Sequence, residues 1–115
     1  VDGLELARLA VSAAEDKKAE DIVLLDLRNI SGVADYFVIC SGNVSRQIDA
    51  IADNIQEMLK AEDKTIKRRV EGPGDSGWVL LDYGDLVVHI FTPARRAFYN
   101  LEGLWKAAPV LLRVQ

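Results

Sequence analysis

The chain has 115 residues, 50% of them apolar and 28% charged, which is the balance of one compact domain with a real core and leaves no room for two. Fourteen Lys and Arg against 18 Asp and Glu give a net charge of −4, the wrong sign for a protein whose affinity comes from neutralising phosphates. A single cysteine excludes an internal disulfide and points to a reducing compartment, no apolar stretch reaches the ~18 residues of a membrane span, and Val1-Asp2-Gly3 lacks the build of a signal peptide.

Residues 4–19 place Leu6, Leu9, Ala10 and Ala13 at helical spacing, which predicts an amphipathic first helix. Residues 22–29 predict a strand with Val23, Leu25 and Leu27 on one face. Ser31-Gly32 marks a turn. Residues 36–41 (YFVICS) form a second strand, apolar on both faces as in the middle of a sheet covered on each side, with Cys40 as a small buried thiol. After Gly42 the period changes to 3.6. Ile48, Ile51, Ala52, Ile55 and Leu59 then form one stripe of a helix over about 46–61, with Ser45 as its expected N-cap.

Residues 65–71 predict a short polar strand whose basic cluster, Lys64, Lys67, Arg68 and Arg69, suits a sheet edge. The segment 72–77 is a Gly-rich loop. Residues 78–83 and 86–92 flank Gly84-Asp85, the two-residue link of a hairpin. That link sets the register: Tyr83 faces Leu86, Asp82 faces Val87, Leu81 faces Val88, Leu80 faces His89, Val79 faces Ile90 and Trp78 faces Phe91. One hairpin face is then aliphatic (Val79, Leu81, Tyr83, Leu86, Val88, Ile90), and the other carries Trp78, Leu80, Asp82, Val87, His89 and Phe91. Thr92-Pro93 opens a last helix with Phe98, Leu101 and Trp105 on one side. The order implies an α/β single domain, 1–115, with a mixed five-stranded sheet and flanking helices, in which 1–3 and 107–115 are flanking tails.

Chemistry-bearing constellations are sparse. His89 is the one histidine, so a zinc site or proton relay using two imidazoles is excluded within a single chain. Asp82 lies diagonally from it and could pair with it, but no nucleophile stands in a G-x-S-x-G context. Asp82 and Asp85 are three apart with a turn between them, which is poor spacing for a metal pair. The turn Ser41-Gly42-Asn43-Val44-Ser45-Arg46 lacks the Gly-Lys-Ser/Thr ending of a P-loop and reads as helix capping. No catalytic residue, metal site or cofactor is expected. Trp78 carries the most information: its face-mates Asp82 and His89 would each need satisfying in a sealed core, which favours a partly exposed anchor over a core indole.

The run Asp35-Tyr36-Phe37-Val38-Ile39-Cys40-Ser41-Gly42, followed by Ser45-Arg46 and Ile51-Ala52-Asp53, resembles the first signature of the ribosomal silencing factor, or Iojap-like, family. The second signature follows in order: Glu71-Gly72, then Trp78 through Phe91 with Asp82-Tyr83-Gly84-Asp85 and Val88-His89, then Arg96, Tyr99, Leu101, Glu102, Leu104 and Trp105. The resemblance spans residues 4–106. It implies a non-enzymatic, cytoplasmic and often homodimeric factor that binds the large ribosomal subunit through the ribosomal protein numbered fourteen. Such a factor blocks docking of the small subunit and represses translation when nutrients run short, with little direct nucleic-acid contact.

The resemblance also implies a nucleotidyltransferase-like topology, which keeps a second reading open, a metal-dependent nucleotidyltransferase-like enzyme or nucleotide-binding module. Ser41-Gly42 stands where such an enzyme would carry Gly-Ser, and no Asp-x-Asp pair is present. By position, the family's surface falls on Glu71, Trp78, Asp82, Gly84, Asp85 and His89, with Arg46 nearby and Leu80 beside the tryptophan.

Overall fold

A computed structural model describes residues 2–30, 32–72 and 76–115; Val1, Ser31 and residues 73–75, which belong to the amino-terminal flank, the Ser31-Gly32 turn and the Gly-rich loop, lie outside the described residues. Helix α1 (Gly3–Asp16) starts where the Asp2 carboxylate accepts a hydrogen bond from the Glu5 N–H at 2.8 Å. Its inner face is Ala7, Ala10, Val11, Ala13 and Ala14, small side chains that let it lie close against its neighbours. Strands β1 (Glu20–Asp26) and β2 (Tyr36–Ser41) follow, then the long helix α2 (Ser45–Glu62), whose buried stripe is the expected Ile48, Ile51, Ala52, Ile55 and Leu59.

Beyond α2 come β3 (Arg69–Glu71), β4 (Trp78–Asp82), β5 (Leu86–Phe91), the short helices α3 (Pro93–Tyr99) and α4 (Leu101–Leu104), and β6 (Val110–Val114). The strands form one mixed sheet in the order β3-β4-β5-β2-β1-β6. Among the described residues only β2 and β5 run parallel; they occupy the middle, and every residue of both is buried. The β4–β5 hairpin has the register set by Gly84-Asp85, from Asp82 opposite Val87 to Trp78 opposite Phe91.

The core has two sides. Ile22, Leu24, Val38, Cys40, Val79, Leu81, Val88 and Ile90 pack under α1 and α2. Burial pushes the Cys40 thiol up to about 12, so it is an inert core side chain. On the other side Val23, Leu25, Leu27, Phe37, Ile39, Val87 and Phe91 are covered by Leu101, Trp105 and Ala108, and Trp78 and Leu80 are only half-buried. Among the described residues no helix is long and apolar enough to cross a membrane.

Four expectations are corrected. The sheet has six strands, not five, because residues 107–115 are not a tail: β6 pairs antiparallel with β1, and the Pro109 carbonyl accepts from the Asp26 N–H at 2.9 Å just before it. A proline at the entry of an edge strand leaves the ladder intact. Strand β3 spans only Arg69–Glu71 rather than 65–71. Ser45 is not the N-cap; that position is Val44, which makes no side-chain cap bond, and Gln47 Oε1 instead accepts from the Asn43 N–H at 2.8 Å. The last helix is divided in two at Asn100, whose left-handed backbone (φ 49°) ends α3 and whose side chain caps α4.

Deleting residues 110–115 strips β1 of a ladder of four paired positions and leaves its edge open, which should cost at least about 2 kcal/mol and promote aggregation. Urea unfolding and light scattering measure both. An unchanged midpoint would mean that β6 does not secure β1.

Candidate functional site

The half-covered part of the sheet is built around Trp78. Alternation along β4 sends Val79 and Leu81 toward the helices and leaves Trp78, Leu80 and Asp82 on the other face. The indole stacks on Phe91 with centroids 5.0 Å apart, meets Tyr99 of α3 at 4.5 Å and lies 5.9 Å from the His89 ring. Its Nε1–H donates to His89 Nδ1 at 3.2 Å.

Two glycines let the backbone approach this cluster. A Cβ on Gly72 would stand 2.1 Å from the Trp78 carbonyl oxygen, and one on Gly77 would stand 2.7 Å from Arg95 Cγ; both positions also have positive φ. The first requirement explains the Glu71-Gly72 pair, since β3 turns away where Trp78 enters β4. The second lets α3 start close by: Thr92 N–H donates to the Gly77 carbonyl at 3.0 Å, and Thr92 Oγ1 accepts from the Arg95 N–H at 3.3 Å.

Arg96 anchors the other end of α3. Its side chain is 12% exposed, and the guanidinium donates to Glu102 Oε1 at 2.7 Å and to Ser41 Oγ at 2.9 Å. The left-handed turn at Asn100 brings Glu102 back over Arg96, so the pair fixes Tyr99 beside Trp78. The family pattern contains Arg96, Tyr99 and Glu102, but spacing alone does not reveal this clamp.

The eight residues expected at the site do not form one patch. Glu71, Trp78 and Leu80 line, with Gly72, a shallow pocket of about 170 Å³. His89 is 4% exposed and is hydrogen-bonded to the half-buried Trp78 indole, so it offers a partner almost no surface of its own. Asp82 does not bond to His89: its Oδ1 accepts from the Gly84 N–H at 2.8 Å, and Oδ2 lies 3.7 Å from Arg69, which also lies 3.4 Å from Glu71. These are exposed contacts of little energetic weight.

Gly84 and Asp85 occupy the hairpin tip at the opposite end of β4 from Trp78. There the Asp85 carbonyl accepts from the Asp35 and Tyr36 N–H groups at 2.8 and 3.0 Å and ties the tip to β2. Arg46 is exposed in the first turn of α2, the helix that covers the opposite face. Sequence spacing alone does not reveal the aromatic extension of the patch: Tyr99, 41% exposed, packs on Trp78, and Phe98, 75% exposed, packs edge-on against Tyr99. Among the described residues no cluster of three His, Cys, Asp or Glu could hold a metal ion.

Burial pushes the His89 imidazole down to about 4, and the nearby Asp82 charge opposes this only in part. The ring is therefore neutral at neutral pH. Because Nδ1 accepts the indole proton, the ring proton sits on Nε2, which is buried without a hydrogen-bond partner among the described residues.

A model of the family described as ribosomal silencing factor during starvation matches residues 2–115. A ribosomal silencing factor RsfS from Halalkalibacterium halodurans is 48% identical over 107 residues, covering 93% of this chain and 91% of that protein. The crystal structure of a Chromobacterium violaceum protein superposes with a TM-score of 0.85 at 34% identity, covering 92% of this chain and 88% of that one. More distantly, a mouse protein named mitochondrial assembly of ribosomal large subunit protein 1 is 32% identical over 101 residues, covering 84% of this chain and 43% of its own length.

The His89 environment makes stability depend on pH in a defined sense. Between pH 6.5 and about 4 the unfolded chain binds a proton that the native ring refuses, so native stability falls as pH falls, by about 3 kcal/mol over that window. Above pH 6.5 the contribution is flat. In urea unfolding from pH 7.5 to 4.5, His89→Phe should lose distinctly less stability than wild type; equal losses would place the proton uptake elsewhere.

Proposed function

The chain belongs to the ribosomal silencing factor family, and from that membership we propose that it binds the large ribosomal subunit where the small subunit docks and so represses translation when nutrients are scarce. The contact is made through a ribosomal protein, the one numbered fourteen, in the cytoplasm and without catalytic turnover.

The observation that carries this reading is the half-covered aromatic patch. Trp78, Leu80 and Tyr99 offer a rigid apolar anchor, and Glu71 and Asp82 stand at its border. That composition suits a basic protein surface: an aromatic centre supplies affinity, and acidic neighbours supply steering and register. With a net charge of −4, RNA phosphate is a poor principal ligand, so the protein contact dominates. The name of the mouse relative, which refers to the large ribosomal subunit, points the same way. As part of the same proposal, a second copy of the chain has an apolar sheet edge to pair with at β6, where Val110, Leu111 and Leu112 are exposed.

Light scattering of purified subunits tests the proposal. Added protein should slow and reduce subunit joining, and unchanged joining would refute it. Trp78→Ala should weaken co-sedimentation with large subunits by about thirtyfold, or ~2 kcal/mol, while circular dichroism stays native. Loss of the fold in that variant would make Trp78 a core residue rather than an anchor.

A further inference from the structure

We propose that His89 is a positioning residue: it fixes the indole of Trp78 in its docking orientation by accepting the indole proton, so that a partner meets Trp78 through its ring and not through its N–H. This rests on the proposed role of the Trp78 face, but the pair itself can be tested without any partner.

The two residues are diagonal neighbours on one face of the β4–β5 hairpin, Trp78 opposite Phe91 and His89 opposite Leu80. A half-buried indole at the start of a strand can occupy several rotamers, and stacking alone tolerates sliding in the ring plane. The Nε1–H to Nδ1 bond at 3.2 Å removes that freedom. It also uses the one donor the indole has.

His89 is itself held from three sides. Phe37 meets its ring edge-on with centroids 4.6 Å apart, Phe91 lies nearly parallel to it at 6.1 Å, and the strand backbone is locked between β2 and β4. The acceptor therefore sits on the most rigid part of the sheet. Phe at this position would keep the ring packing and lose only the acceptor, while Asn would place its carbonyl oxygen near the position of Nδ1. The bland alternative is a histidine that merely fills core volume; it requires no bond at Nδ1, whereas the structure has the indole N–H donating to that atom.

The discriminating measurement is the 1H–15N spectrum of the indole groups, with Trp105→Phe used to assign the two resonances. In His89→Phe the Trp78 indole N–H should shift upfield and exchange faster with solvent, and affinity for purified large subunits should fall by about tenfold while circular dichroism stays native. In His89→Asn both should recover toward wild type. An unchanged, protected Trp78 indole resonance in His89→Phe overturns the bond. A lost bond with full large-subunit affinity overturns the positioning role. If wild-type protein does not bind large subunits at all, the proposed function fails, and the indole spectra still decide whether His89 holds Trp78.

Discussion

The parallel pairing of β2 with β5 is the constraint on which the rest of this structure depends. Both strands are buried along their whole length, from Tyr36 beside Leu86 to Ser41 beside Phe91, so each face of the sheet centre must be covered. A parallel pair also needs a long crossover, and the chain supplies it with α2, β3 and β4. One face receives two long helices. The other receives the shorter α3, α4 and the turn around Trp105 and Ala108, which cover β1, β2 and β5 and meet β4 through Tyr99 against Trp78. The half-covered Trp78 and Leu80 follow from this unequal cover.

Much of the fold was legible because the central elements obey simple periods. The α2 stripe and the two hairpin faces were readable from alternation, and Gly84-Asp85 fixed the strand register. What escaped was held by the backbone or by competition between side chains. Strand β6 is apolar apart from Arg113, but none of its side chains is fully buried; its pairing with β1 is a main-chain ladder that hydropathy does not register. The break at Asn100 depends on a left-handed residue inside a helical pattern.

The site was legible as a face and not as a set of bonds. His89 has two diagonal neighbours on that face, Trp78 and Asp82, and spacing alone gives them equal standing. Asp82 loses because the Gly84 N–H, two residues on, captures its carboxylate at the turn. The imidazole is left to the indole. By the same physics Asp85 and Gly84 serve the hairpin tip, and Arg46 stands on a helix that covers the opposite face. The role of Tyr99 depends on the Arg96–Glu102–Ser41 clamp, which joins residues far apart in sequence.

The proposed function assigns docking to the Trp78 face and not to the helical face. Hydroxyl-radical footprinting of the protein on isolated large subunits tests this most directly, because both faces carry reactive, partly exposed side chains: Trp78 and Tyr99 on one, Leu9 and Met58 on the other. Trp78 and Tyr99 should lose reactivity on binding while Leu9 and Met58 keep theirs. Protection of Leu9 and Met58 with Trp78 and Tyr99 unchanged would contradict it.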